Sequence, residues 1–251
     1  MVLRREIEAP IARLTVARSK AKNAINPELA TALISGFEAA GADDGVRAVL
    51  LLAEGDVFLA GGDVKVLHAL GYESEGAEAV LELGERLVGA IEGCPVPVVA
   101  AVGGAAFGGG AELLMACDAV VMAEDVSLRF VHAAMGLVPA WGGATRLVER
   151  VGVTRATELL LTARPVDGAE ARRIGLAAQA APPGQVVASA EAMVGAMVRH
   201  ERAALVAMKR SLLGLRRARR GTAMAEEAAV FRDVWGQAPH REAFARFIDR
   251  S

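Results

Sequence analysis

The sequence predicts an α/β fold with a helical C-terminal region. Three observations carry that prediction. Apolar runs of strand length recur between helical stretches, as at residues 46–53 (VRAVLLLA) and 96–102 (VPVVAAV). Glycine-rich bends join strand to helix after both runs. Past Thr154 the pattern becomes mostly helical. Uniformly apolar strands are those of a sheet covered on both faces, and alternation with helices is the mark of an α/β chain.

The elements follow in order. Residues 11–17 (IARLTVA) alternate like a half-buried strand. Asn26 caps a helix with Pro27 in its first turn, and Leu29, Leu33 and Phe37 form its apolar stripe. The 46–53 strand leads through FLAGGDVKVLHAL, where Asp63 is placed to cap the next helix. A helix is expected over 75–93, the second buried strand over 96–102 and a helix over 111–117. Short strands follow at 118–123 and 126–130. APPGQ at 181–185 is a turn and a plausible hinge, and 186–251 read as helices only. The chain therefore divides into a core (1–185) and a helical region (186–251) that covers an edge, a partner subunit or an active site.

Composition narrows the functional classes. The 251 residues are 53% hydrophobic and 23% charged, which fits a large buried core and excludes disorder. A formal net charge of −2 gives no general attraction to nucleic acid or anionic membrane. Cys94 and Cys117 lack metal-ligand spacing and read as buried free thiols. No run of about 20 apolar residues is present, and the N-terminal segment does not read as a secretory signal, so a cytoplasmic setting is expected.

The stretch GGAAFGGGAELLMACD, residues 103–118, is where chemistry is expected. Gly108, Gly109 and Gly110 open a helix, and Glu112 lies in its first turn. Glycines at a helix entrance let a ligand reach unpaired N–H groups, which stabilise negative charge. A second glycine bend, Ala60-Gly61-Gly62-Asp63, also follows a buried strand. Neither bend is a known phosphate loop. Together they offer two amides to one carbonyl oxygen, as an enolate requires. Glu112 is explained either by the helix dipole or by chemistry, and His132, in the constrained loop RFVHAAMGLVPAWGG, is either structural or catalytic. His68, His200 and His240 read as surface or packing residues. RRARR at 216–220 either binds phosphates or forms a solvated helix face, and Trp141 either lines a pocket or packs the core.

RSKAKNAI, FLAGGDVKVL, PVPVVAAVGGAAFGGGAELLMACD, MGLVPAWGGATRLVERVG and ARPVDGAEARRIGLA, in that order, resemble the crotonase (enoyl-CoA hydratase/isomerase) superfamily over essentially the whole chain. The resemblance implies a spiral of ββα units, a C-terminal helical region that builds trimers or dimers of trimers, and an acyl-CoA thioester substrate. Coenzyme A would arrive as part of the substrate, with no separate cofactor and no metal. The resemblance places the oxyanion hole at the N–H groups of Gly62 and Gly109. It places coenzyme A along Ala60, Gly61, Gly62, Asp63, Val64 and Lys65, with Lys22 near its phosphates. Gly108 and Trp141 would border the substrate, and Phe247 and Arg250 would reach the coenzyme A of a neighbouring subunit.

Glu112 matches the first catalytic glutamate of the hydratases, but His132 stands where their second glutamate falls. LRFVHAAMGLVPAWGGATRLVE looks most like the ethylmalonyl-CoA decarboxylase subgroup. The expectation is therefore an acyl-CoA lyase that decarboxylates a short alkylmalonyl-CoA of the ethylmalonyl or methylmalonyl type. The alternative is an enoyl-CoA hydratase in which Glu112 and His132 share the water chemistry. A remoter one is a non-catalytic relative that binds coenzyme A or RNA. Either of Glu112 and His132 is open as the proton donor.

Overall fold

The computed structural model describes residues 1–248. The chain opens with two strands, β1 (Leu3–Glu8) and β2 (Ile11–Val16), and helix α1 (Pro27–Ala42). Next come β3 (Ala48–Ala53), β4 (Val57–Leu59), α2 (Val64–Ala69) and α3 (Ser74–Gly93). Two more units follow: β5 (Val98–Val102), β6 (Ala105–Phe107) and α4 (Gly109–Ala116), then β7 (Ala119–Ala123), β8 (Ser127–Arg129) and α5 (Gly143–Val151). The rest is α6 (Val153–Thr162), β9 (Val166–Asp167), α7 (Gly168–Ile174), β10 (Gln179–Ala181), α8 (Val186–Met197), α9 (Arg202–Arg220), α10 (Ala223–Val234) and α11 (Ala238–Ile248).

Beyond β2, three pairs of strands, β3 and β4, β5 and β6, β7 and β8, are each followed by helix, and each pair splits between two sheets. The larger sheet has the order β1-β2-β3-β5-β7-β10, the smaller β4-β6-β8-β9. The first strand of each pair joins the larger sheet and the second joins the smaller. This is the expected spiral of ββα units. Apart from the terminal pairs β1–β2 and β8–β9, neighbouring strands are parallel. The chain thus steps along both sheets one unit at a time, setting successive strand-to-helix bends side by side.

Local chemistry explains the boundaries. Asn26 caps α1 by accepting from the Leu29 N–H at 2.9 Å, and Asp63 caps α2 by accepting from the Lys65 N–H at 3.0 Å. Helix α4 begins at Gly109 rather than 111, because glycine reaches the positive φ of +50° at Gly108 that turns the chain into the helix. β1 carries four charged residues in LRREIE and so escapes an apolar-run reading; it survives as an edge strand paired with β2. β9 and β10 interrupt the mostly helical segment expected past Thr154, and both are too short to show periodicity.

α8 packs on the larger sheet, burying Val186, Ala190 and Val194 against Ala48, Leu50, Val99 and Val121. α9 carries two faces. Inward, Lys209 donates to the carbonyls of Ile91 and Val96 at 3.1 Å and pairs with Asp118 at 2.7 Å. The RRARR run belongs only partly to solvent. Arg220 binds both oxygens of Glu92, and Arg216 pairs with Glu149 at 3.0 Å. Arg146 of α5, 1% exposed, reaches Glu92 at 2.9 Å. Burial alone would raise the Glu92 carboxyl; hydrogen bonds from Arg220 and Arg146 overcome that and bring it down to about 2. Outward, α9 exposes Met208, Leu212 and Leu215, an apolar stripe at helical spacing. Among the described residues no helix is long and apolar enough to cross a membrane.

Removing the Glu92 charge strands the buried Arg146 guanidinium and leaves Arg220 with Glu149 alone. Glu92→Gln is expected to lower stability by about 3 kcal/mol or more in urea denaturation at neutral pH. The folded-state value lies below the ordinary 4.5, so this contribution is full above about pH 4.5 and is lost as pH falls toward about 2. The stability gap between wild type and variant therefore narrows on acidification.

Candidate active site

The two glycine bends meet backbone to backbone. Gly61 has φ of +92°, and a Cβ there would sit 2.9 Å from the Phe107 carbonyl oxygen and 3.2 Å from the Gly109 nitrogen. A side chain at Gly110 would collide with the Leu59 carbonyl. Glycine is therefore required on both sides of the contact. The 60–63 bend is fixed from a third direction. Ile25 donates its N–H to the Gly61 carbonyl at 2.7 Å, and the Asp63 N–H donates to the Ile25 carbonyl at 2.9 Å. Asn23, buried, ties that segment down by donating to the carbonyls of Glu54 and Val57. Neither the Gly62 nor the Gly109 N–H donates to another backbone group among the described residues.

Glu112 projects from the first turn of α4 and is 1% exposed. Its carboxyl group is held by backbone amides and by one histidine. Oε2 accepts from the N–H groups of Trp141 at 2.8 Å and Gly143 at 3.0 Å. Oε1 lies 2.9 Å from His132 Nε2 and accepts from the Ala140 N–H at 3.4 Å. The donors come from the loop that enters α5, whose first N–H groups have no partner within the helix. Gly143 is forced at this point, since a Cβ there would lie 2.5 Å from Glu112 Oε2.

The same helix end holds a second carboxyl group. Glu227 of α10 accepts from the Ala144 and Thr145 N–H groups at 3.1 and 2.9 Å and from the Thr145 hydroxyl at 2.8 Å. Burial and the neighbouring Glu112 push its carboxyl upward, against those donors. Glu227 gave no signal in the sequence, because it arrives from a distant helix.

His132 stands at the start of a tight 3-10 turn, Ala133–Met135. Its Nδ1 is buried without a hydrogen-bond partner among the described residues. The histidine forms one wall of a cavity of about 700 Å³, lined also by Leu137, Val138, Val148, Leu160 and Glu227. Gly62, Gly109 and Glu112 are not among its walls. Histidine thus reaches the cavity while the glutamate stands behind it.

The remaining expected residues separate. Trp141 is buried, with its indole in a slot between Gly84 and Gly109 and its Nε1 donating to the Val80 carbonyl at 3.0 Å. That places the ring against the second glycine bend. Gly108 lies beside the histidine; a Cβ on it would be 4.0 Å from His132 Nε2. Ala60 and Val64 are half-buried and Lys65 is exposed beside the first bend. Asp63 pairs with Arg18 at 2.7 Å, and Lys22 is exposed in a left-handed turn with φ of 52°. Phe247 lies on the exposed side of α11, and Arg250 falls outside the described residues. His240 is a packing residue: the Gly236 N–H donates to its Nδ1 at 3.0 Å, its ring lies 4.7 Å from that of Trp235, and burial lowers its pKa. His68 and His200 are exposed. Cys94 and Cys117 are buried free thiols, the latter pushed up to about 12 by burial.

Several known proteins resemble this chain in sequence and fold. The sequence profile described as Enoyl-CoA hydratase/isomerase matches residues 6–251. The ethylmalonyl-CoA decarboxylase of Danio rerio is 33% identical over 203 residues, covering 79% of this chain and 67% of that protein. The short-chain-enoyl-CoA hydratase of Clostridium acetobutylicum is 30% identical over 249 residues, covering 98% and 94%. A Bacillus subtilis relative, 37% identical, is matched over 66% of this chain and 64% of its own length. Among crystal structures, an enoyl-CoA hydratase/isomerase from Pseudoalteromonas atlantica has 30% identity and a TM-score of 0.87, covering 100% of this chain and 98% of that one. Another from Mycobacterium paratuberculosis has 25% identity and a TM-score of 0.89 over 98% of each chain.

Gly143→Ala tests how tightly the glutamate is seated. The added methyl group must displace the Glu112 side chain, and a loss of about 1–3 kcal/mol in urea denaturation is expected. An unchanged midpoint would show that the seat has slack.

Proposed function

The chain belongs to the enoyl-CoA hydratase/isomerase family, and from that premise we propose that it is an acyl-CoA lyase that decarboxylates a short alkylmalonyl-CoA. The observation that carries the reading is the Glu112–His132 pair, 2.9 Å apart, with the glutamate buried and the histidine on the cavity wall. Hydration calls for two groups that both reach a water molecule. Loss of CO2 calls for an oxyanion hole, a group that orients the departing carboxylate and a proton for the α-carbon.

In the proposed reaction, the Gly62 and Gly109 N–H groups donate to the thioester oxygen. The bond between the α-carbon and the carboxylate breaks, and its electron pair moves into the enolate held at that oxygen. One such donor is worth about 3 kcal/mol of transition-state stabilisation. His132 meets the carboxylate as it leaves. His132 gives the proton of its other ring nitrogen, Nδ1, to the α-carbon, while Nε2 takes the proton of its hydrogen bond with Glu112 Oε1. Water then returns a proton to the pair. Glu112 fixes the ring from behind, and the Trp141 and Gly143 amides fix Glu112. Coenzyme A is part of the substrate, seated along residues 60–65 with Lys22 near its phosphates, and no separate cofactor or metal enters the scheme.

Hydration of a 2-enoyl-CoA is the second reading. It is favoured by the Clostridium acetobutylicum hydratase, which is matched over 98% of this chain. The two readings are separated by substrate. Wild-type protein is expected to convert ethylmalonyl-CoA to butyryl-CoA and CO2, and Glu112→Gln and His132→Ala to lower that rate by about 100-fold or more. Hydration of crotonyl-CoA with no CO2 release from ethylmalonyl-CoA would reverse the assignment.

We also propose a homo-oligomer, a trimer or dimer of trimers, with the α9 stripe as part of its interface. Met208, Leu212 and Leu215 are each at least 60% exposed on one helix face. Leu212→Asp is expected to shift the protein to a smaller species in light scattering, and an unchanged mass would remove the stripe from the interface.

A further inference from the structure

Trp141 touches both halves of the proposed machinery. We propose that Trp141 is a positioning residue that locks the Glu112 carboxyl group and the Gly109 bend into one register, and that Gly84 is the notch that admits it. Its N–H donates to Glu112 Oε2 at 2.8 Å. Its ring lies so close beneath Gly109 that a Cβ there would be 2.6 Å from Cζ3 and 2.8 Å from Cη2. Its Nε1 donates to the Val80 carbonyl of α3 at 3.0 Å, and its carbonyl accepts from the buried Arg146 guanidinium at 2.8 Å.

These contacts lie on different sides of the residue, so Trp141 has little room to move alone. A large indole with its N–H satisfied is well suited to such a place. The slot exists only because residue 84 is glycine; a methyl group there would fall within the indole. Any shift of the ring therefore acts on the donor bend above it and, through the backbone, on the seat of Glu112. A displacement of about 1 Å in a positioned group costs about 100-fold in rate. The inference rests on the proposed roles of Glu112 and Gly109.

Two variants approach the same ring from opposite sides. Trp141→Phe keeps the backbone N–H and loses the bond to Val80; Gly84→Ala pushes the indole out of its slot. In both, kcat on the acyl-CoA substrate is expected to fall about 10- to 100-fold with KM changed less than about twofold. In both, the N–H residual dipolar couplings of Gly109 and Gly143, which the ring current of the indole does not alter, are expected to change in the ligand-free protein. A lower melting temperature with kcat unchanged, or a fall in kcat with both amides in place, overturns the proposal. If wild type turns over no acyl-CoA, the reading of the reaction fails and the amides alone decide: changed N–H couplings in Trp141→Phe uphold the positioning role, and unchanged couplings overturn it. Should Gly84→Ala fail to fold, the same criteria are applied to Trp141→Phe.

Discussion

The site depends on one close approach of backbone to backbone. Gly61, at φ of +92°, brings the first bend against the Phe107 carbonyl and the Gly109 nitrogen of the second. Each bend alone is ordinary punctuation between a strand and a helix. Their contact follows from the spiral, because β4 and β6 are parallel neighbours in the smaller sheet and their exits lie side by side. Any side chain at 61 or 110 would hold the bends apart. Negative charge that develops on an oxygen between them would meet amides already fixed in place, which is the condition for electrostatic catalysis.

A second constraint sits behind that contact. The first turn of α5 distributes its free N–H groups between two carboxyl groups: Glu112 takes Gly143, and Glu227 takes Ala144 and Thr145. One helix end thereby anchors α4 and α10 at the same place. Further along α5, Arg146 enters the buried ionic group with Glu92 and Arg220, which ties the helix to α3 and α9. Buried ion pairs contribute less to stability than their number implies, because desolvation offsets much of the attraction. Their geometric effect is the larger one here, since they fix the helix whose entrance seats the glutamate.

Much of this was legible in the sequence, for physical reasons. Buried parallel strands must be apolar on both faces, so β3 and β5 stand out as continuous runs. Caps such as Asn26 and Asp63 are local and can be read locally. Glu112 and His132 each stood out beside a glycine-rich bend, and the family resemblance paired them. Edge strand β1, with its charges, and the two- and three-residue strands β9 and β10 carried no usable pattern. The seat of Glu112 was hidden as well, since its donors are backbone amides, which have no residue identity. Glu227 and the inward face of RRARR were hidden for another reason. Whether a surface-like charge turns inward depends on what lies across the fold, and Glu92 lies 128 residues from Arg220. Trp141 read as lining or core; its neighbours Gly84 and Gly109 decide for packing beneath the bend.

The claim at the centre is that the Gly62 and Gly109 amides act on one carbonyl oxygen. Isotope-edited infrared spectroscopy of a bound, unreactive acyl-CoA, labelled with carbon-13 at the thioester carbonyl, measures that action directly. Two converging donors polarise the bond, so the account predicts a carbonyl stretch at clearly lower frequency in the complex than for the same thioester in water. A stretch at or above the value in water, with the ligand demonstrably bound, would contradict it.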